Sequence, residues 1–289
     1  MKVIVTGTGG RLGAAVARHL RGRHRVVAYD RRAMDLREPA QIVDHLTGLE
    51  FDALINCAAV TSPDYCEQQA DEAQTVNAEA PALMARLCCE RGARMIHLST
   101  DYVYDGTVPG LRREGDAANP LGAYARTKLA GELRVLGESS RHLVARTSWV
   151  FGPDRESFVD QIITRAKKEP RCAAVSDKFS SCSYSSDMAE QLERLLLNPD
   201  AAGVYNLCND GPCSWQELGQ AALDTVSELG WKLRCRTLQS QRLTDMTQFL
   251  APRPVHTSMD VSRLALATGL RPRPWREALR EYLTTFYRQ

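Results

Sequence analysis

Residues 3–13 read Val3-Ile4-Val5-Thr6-Gly7-Thr8-Gly9-Gly10-Arg11-Leu12-Gly13, a β-branched run that passes through a glycine turn into a helical pattern. No other stretch restricts the chain as much. Gly7, Gly10 and Gly13 stand at G-x-x-G-x-x-G spacing. Such glycines permit a tight turn, let backbone approach a pyrophosphate and allow the helix to pack close to the strand. The helix N-terminus then offers unpaired N–H groups and a partial positive charge to phosphate. A glycine motif alone is a weak signal, but Asp30 closes the next β-branched run. A carboxylate there can accept hydrogen bonds from an adenosine ribose. Asp30 favours a free 2′-hydroxyl, whereas Arg31, Arg32 or Arg11 can each neutralise a 2′-phosphate, so the expected cofactor is NADPH or NADH.

The rest of the first half supports a parallel sheet. Expected strands are Lys2 to Thr6, Arg25 to Tyr29, Ala53 to Asn56, Arg94 to Leu98 and His142 to Thr147, nearly continuous in apolar residues as strands buried on both faces are. Helical patterns lie between them: Leu12, Val16 and Leu20 recur every fourth residue. The rhythm fades after Phe151, where helices near Met188 to Leu197, Trp215 to Leu229 and Trp275 to Phe286 mix with short strands such as Val204 to Leu207. The fold class expected is α/β, a Rossmann-like doubly wound parallel sheet with a smaller, closely packed C-terminal α/β region. Residues 1–150 are expected to bind the dinucleotide. Residues 151–289 are expected mainly to bind substrate, with some segments returning to the first domain.

Composition removes several classes. The 289 residues carry 37 Lys+Arg against 35 Asp+Glu, too even a balance for a dedicated nucleic-acid binder. No apolar run reaches the roughly 18–20 residues of a membrane span, and Met1-Lys2 leads directly into Val3 without a signal-peptide pattern. The nine cysteines form no C-x-x-C pair, and the six histidines show no metal spacing. A cytoplasmic protein with reduced thiols, no metal site and no nucleic-acid or membrane partner is expected.

Tyr124 and Lys128 stand at i, i+4, the same face of a helix. A phenol titrates near 10, and a neighbouring ammonium is expected to lower it toward the working range. Ser99-Thr100-Asp101 follows the strand Arg94 to Leu98, at the carboxyl edge where open α/β sheets bind ligands. Thr100 there can donate to the oxygen that Tyr124 serves. Ser99 has neither a nucleophile elbow nor a histidine base, which disfavours acyl transfer. His97 reads as a packed strand residue.

Together the glycine loop, Ser99-Thr100-Asp101-Tyr102-Val103-Tyr104-Asp105-Gly106 and the Tyr124/Lys128 pair resemble the extended short-chain dehydrogenase/reductases, and within them the dTDP-4-dehydrorhamnose reductase family. Ile55-Asn56-Cys57-Ala58-Ala59, Val76-Asn77-Ala78-Glu79, Lys128-Leu129-Ala130-Gly131-Glu132 and Arg146-Thr147-Ser148-Trp149 extend the likeness along the chain. The resemblance implies that Gly10, Arg11 and Leu12 cradle the pyrophosphate, that Asp30 takes the ribose and that Asp35 and Leu36 flank the adenine. It further implies that Ala59, Val60 and Thr61 line the cofactor cleft, that Thr100 and Asp101 meet the sugar and that Trp149 packs on it. Tyr124 and Lys128 would serve both chemistry and the nicotinamide ribose. Arg253 is a candidate for a substrate phosphate, or else a structural ion pair. Two departures from the family pattern bear on the sugar: Asp177-Lys178-Phe179-Ser180-Ser181-Cys182-Ser183 replaces Asp-Gln-x-Gly-Ser-Pro-Thr, and Pro63 replaces an apolar Val.

The implied reaction reduces the C4 keto group of a nucleotide-linked 4-keto-6-deoxysugar, with that sugar nucleotide and a second copy of the chain in a homodimer as partners. Two alternatives stand. One is a sugar-nucleotide epimerase on the same scaffold; the other is a non-catalytic subunit resembling the regulatory subunit of methionine adenosyltransferase.

Overall fold

The computed structural model describes residues 1–288. Six parallel strands form the central sheet: β1 (Lys2–Thr6), β2 (Arg25–Tyr29), β3 (Ala53–Asn56), β4 (Arg94–Thr100), β5 (Leu143–Thr147) and, after several short strands, Gly203–Asn206. Their spatial order is β2-β1-β3-β4-β5, with Gly203–Asn206 outermost beside β5. Between β1 and β3 the direction of winding reverses, and this switch point is where doubly wound sheets open a crevice.

Alternation along the buried strands explains the two covering layers. Val3, Val5, Ala53, Ile55, Ile96 and Leu98 face one core, while Ile4, Leu54 and Met95 face the other. On the first face lies α1 (Arg11–Leu20), whose Val16 and Leu20 are fully buried. On the second lie α2 (Pro39–Thr47), a helical run through α3 (Pro63–Gln68), α4 (Ala70–Gln74) and α5 (Ala80–Glu90), and then α6 (Ala123–Glu138). A five-residue π-helical turn, Thr75–Glu79, joins α4 to α5.

The second half builds its own core from α7 (Phe158–Lys168), α9 (Trp215–Glu228) and α11 (Trp275–Phe286), with Ile162, Leu223, Trp275 and Leu279 at its centre. Two of its segments return to the sheet: α8 (Ser185–Leu197) packs on α1, with α10 (Ser262–Thr268) against it, and Gly203–Asn206 pairs with β5. Three strands differ from expectation in their limits: β5 begins at Leu143 and not His142, the outermost strand covers Gly203–Asn206 and not Val204 to Leu207, and β4 is longer. β4 runs on through Ser99 and Thr100, because Thr100 keeps register with Thr147 of β5. Thr100 is therefore held by the sheet itself. Among the described residues no helix is long and apolar enough to cross a membrane.

Candidate active site

A cleft of about 870 Å³ opens at the C-terminal ends of β1, β3, β4 and β5, within the size range of small-molecule and cofactor sites. Its walls include Gly7, Gly10, Arg11, Leu12, Asp30, Arg31, Asp35, Leu36, Ala59, Val60, Thr61, Thr100, Asp101, Tyr124, Lys128 and Trp149. Two of the residues singled out by sequence, Gly13 and Arg253, are not among them.

The glycine loop is shaped by contact with its neighbours. Gly7 has φ +70°, and a Cβ there would lie 2.7 Å from the Ala58 nitrogen. A Cβ on Gly13 would lie 2.3 Å from the Gly7 carbonyl oxygen, so Gly13 serves helix–loop packing and does not face the cleft. Gly10 donates its N–H to the Gly7 carbonyl at 2.9 Å, and no side chain caps α1. The first-turn N–H groups thus have no side-chain acceptor, the arrangement that receives an anion. The cradle fits a dinucleotide.

The charged groups around this end are mutually braced. Asp30 Oδ1 accepts from the N–H groups of Arg32 and Ala33, both at 2.9 Å. Arg37 hydrogen-bonds Asp35 and holds its carboxyl below the usual range. Arg31 lies 3.7 Å from both Asp35 and Glu72. The Arg11 guanidinium donates to the carbonyls of Arg155 and Glu156, tying the glycine loop to the segment before α7.

Tyr124 and Lys128 share one face of α6, and Thr100 meets the phenol across the cleft. The electrostatics reverse one expectation. Burial pushes the Tyr124 phenol above its ordinary value, and the Thr100 hydroxyl opposes that only in part. Lys128 does not acidify the phenol, because its Nζ turns to β4, donating to the Leu98 carbonyl at 2.6 Å and lying 3.3 Å from His97 Nε2. Burial lowers the lysine to about 8. Asp101 is buried; its oxygens accept from Thr100, Ser180 and Thr257.

Arg253 pairs with Asp64 at 2.7 Å and donates to the Ala251 carbonyl. Its guanidinium is committed to the structural ion pair that was the alternative to phosphate binding. The variant loop 177–183 packs beneath Trp149. Lys178 is fully buried there, bonded to the Pro254 carbonyl, with its ammonium 4.8 Å from the Tyr102 ring centre and 5.7 Å from that of Trp149.

Trp149 adopts φ +40°, a conformation uncommon outside glycine, and its buried Nε1 has no partner. Backbone held in this region gathers at ligand sites. The residue borders both the main cleft and a second cavity of about 560 Å³. Phe158, Trp215 and Phe249 line that second space. The Trp149 and Trp215 rings are 5.5 Å apart, and Phe158 and Phe249 each lie 6.2 Å from Trp215. Sequence reading singled out Trp149 but missed Phe158, Trp215 and Phe249, since in sequence they resemble ordinary core residues.

It also missed the polar pins under the cleft. Asn77, in the π-helical turn, accepts from the Val60 N–H at 2.9 Å and donates to the Val60 carbonyl and to Thr127. Asn56 joins Thr6 to His97. Glu132 and Arg146 form a buried pair at 2.6 Å. Asn56, Asn77, Glu132 and Arg146 sit inside the short motifs that carried the resemblance, which was the signal available. Among the described residues no three His, Cys, Asp or Glu side chains converge as a metal site would require.

Comparison with known proteins agrees with this geometry. The sequence matches the family described as RmlD substrate binding domain over residues 1–288. It is 36% identical to the dTDP-4-dehydrorhamnose reductase of Mycobacterium tuberculosis (strain H37Rv), covering 96% of this chain and 91% of that one. It is 32% identical to the spore coat polysaccharide biosynthesis protein SpsK of Bacillus subtilis (strain 168), covering 98% and 96%. A crystal structure of dTDP-4-dehydrorhamnose reductase from Bacillus anthracis in complex with NADP superimposes with a TM-score of 0.91. That structure is 26% identical, covering 98% of this chain and 99% of the other.

Proposed function

Because the chain belongs to the RmlD substrate binding domain family, we propose that it reduces the C4 keto group of a nucleotide-linked 4-keto-6-deoxysugar. The substrate favoured is dTDP-4-dehydrorhamnose, after which relatives such as the mycobacterial enzyme are named. The observation that carries this reading is the meeting of Thr100, Tyr124 and Lys128 in one cleft with the glycine cradle, continuous with an aromatic cavity at Trp149.

NADPH or NADH, when bound, supplies the hydride. Gly7, Gly10 and the start of α1 would seat its pyrophosphate, and Asp30 its adenosine ribose. Tyr124 would give its proton to the sugar oxygen as charge develops there. A phenol kept protonated by burial suits this direction, since it enters the reaction with the proton in place. Thr100, fixed at the end of β4, would orient the carbonyl, while Lys128, turned from the Leu98 carbonyl toward the ligand, would offer a cation to ribose hydroxyls. The aromatic cavity would take the nucleotide base, with Trp149 against the sugar between the two spaces. On this reading residues 1–150 hold the dinucleotide and residues 151–289 mainly the sugar nucleotide. The exceptions are α8, which packs beside α1, and Gly203–Asn206, which extends the central sheet.

The test follows loss of reduced nicotinamide absorbance on dTDP-4-dehydrorhamnose, beside the Tyr124→Phe variant. The wild type should turn over, and the variant should be slower by about 100-fold or more, the scale of a lost general acid. Sugar interconversion without net NAD(P)H oxidation would instead mark an epimerase. A stoichiometric enzyme partner without any turnover would mark a regulatory subunit.

A further inference from the structure

The floor of the cleft contains a buried polar chain that ends on Lys128, and its other members, Thr6, Asn56 and His97, have no part in the reaction above. Its hydrogen-bond directions can be worked out from one fixed donor. The Ala58 backbone N–H, which can only donate, lies 3.1 Å from Asn56 Oδ1, and the Thr6 hydroxyl donates to the same oxygen at 2.6 Å. The other end of the amide is therefore Nδ2, a pure donor, 3.0 Å from His97 Nδ1. His97 must present a lone pair at Nδ1, which leaves its proton on Nε2. That N–H points at Lys128 Nζ, 3.3 Å away.

An ammonium has no lone pair to receive this donor, whereas a neutral amine accepts it and still donates to the Leu98 carbonyl. We propose that His97, oriented by Asn56, is a positioning residue for Lys128, presenting a fixed N–H that the lysine nitrogen can accept only when uncharged. The proposal rests on the reading of Lys128 as part of the catalytic set. Its consequence is a conditional charge: the ammonium sits in a pocket whose polar contacts are completed by the amine. It therefore gains by turning toward hydroxyls that a ligand brings into the cleft.

The other groups facing Lys128 do not cancel this contact. Glu132, one turn further along α6, favours the charged lysine but is itself paired with buried Arg146 of β5. Cys57 after β3 and Cys66 on α3 also face the lysine. Burial raises both thiols, to about 12 and about 11, so they stay protonated and neutral. Tyr124 is held in its neutral form as well. Burial acts in the same sense as His97 on the lysine, and it keeps His97 unprotonated, well below its ordinary value.

Two measurements by NMR test this on isotope-labelled full-length protein, and neither depends on turnover. The first reads the His97 ring nitrogens in the wild type; the proton should be on Nε2, and a proton on Nδ1 overturns the proposal. The second follows the side-chain nitrogen of Lys128 with pH, which is practical because the chain has six lysines. His97→Gln, whose amide can turn an acceptor to the lysine, should raise the Lys128 midpoint by about one pH unit, the scale of one hydrogen bond. Lys178, also buried and lowered to about 8, should not move and serves as the internal reference. An unchanged Lys128 midpoint overturns the proposal. Should His97→Gln fail to fold, the ring measurement on the wild type decides alone. Failure of the reductase reading would appear separately, as wild-type protein without turnover.

Discussion

The pair Glu132–Arg146 allows a quantitative test of what holds α6, the helix that carries Tyr124 and Lys128, to the sheet. Arg146 projects from β5 and Glu132 from α6, one turn beyond Lys128. The guanidinium donates to both carboxylate oxygens, at 3.0 Å and 2.6 Å, and also to the Tyr104 hydroxyl at 2.9 Å. The two side chains are only 6% and 1% exposed, so water cannot replace a lost partner. Burial works against the Arg146 charge, and the hydrogen bonds to Glu132 more than compensate, leaving its pKa above the ordinary value. Glu132→Gln keeps the shape but strands the cation. The expected loss is about 3–5 kcal/mol, the usual consequence of leaving one buried charge unpaired. Removing both charges, as Glu132→Leu with Arg146→Met, should recover most of that loss, because two desolvation penalties vanish together. Urea unfolding gives both numbers, provided the dependence on urea is unchanged between variants. A single variant less than about 1 kcal/mol below wild type would refute the argument, as would a double variant no better than the single one.

Two further predictions concern binding and pH. Trp215→Ala should raise KM for the sugar nucleotide about tenfold, from the loss of roughly 1–3 kcal/mol of base stacking, with kcat little changed. Steady-state kinetics check this, and a fall in kcat with KM constant would remove the base from that cavity. Folding stability should fall as pH rises above about 9. Burial raises Cys57 and Cys88 to about 12 and Cys66 and Cys172 to about 11, and it also raises Cys182 and Cys208. For groups raised on folding, the stabilisation is complete below the unfolded pKa and is lost as pH climbs through the folded one. Lys128 and Lys178, lowered to about 8, act oppositely between about 8 and their ordinary 10.5, but they are two against six. A urea midpoint higher at pH 10 than at pH 8 would contradict this balance.

Much of the site was legible in the sequence because its signals are local. A glycine needed for a positive φ at position 7, or for contact at position 13, shows as a fixed spacing. A Tyr and a Lys four apart share a helix face wherever that helix lies, and α11 occupies the stretch its apolar pattern marks. The roles of Asn77 and His97 were not legible, since each depends on which atoms arrive from other elements. His97 reads as a packed strand residue and is one, yet both ring nitrogens also meet polar partners 41 and 31 residues away.

The amino-acid sequence alone determined the order of strands and helices, the glycine cradle and the identity of the Thr100, Tyr124 and Lys128 side chains, because those follow from short-range sterics and periodicity. Only the tertiary structure decided that Gly203–Asn206 joins the central sheet and that Arg253 is spent on Asp64. Only it decided that burial raises the Tyr124 phenol while the Lys128 ammonium nitrogen donates to the Leu98 carbonyl of β4. Burial and ion pairing depend on every atom that surrounds a group, and those atoms come from distant parts of the chain that meet only once it has folded.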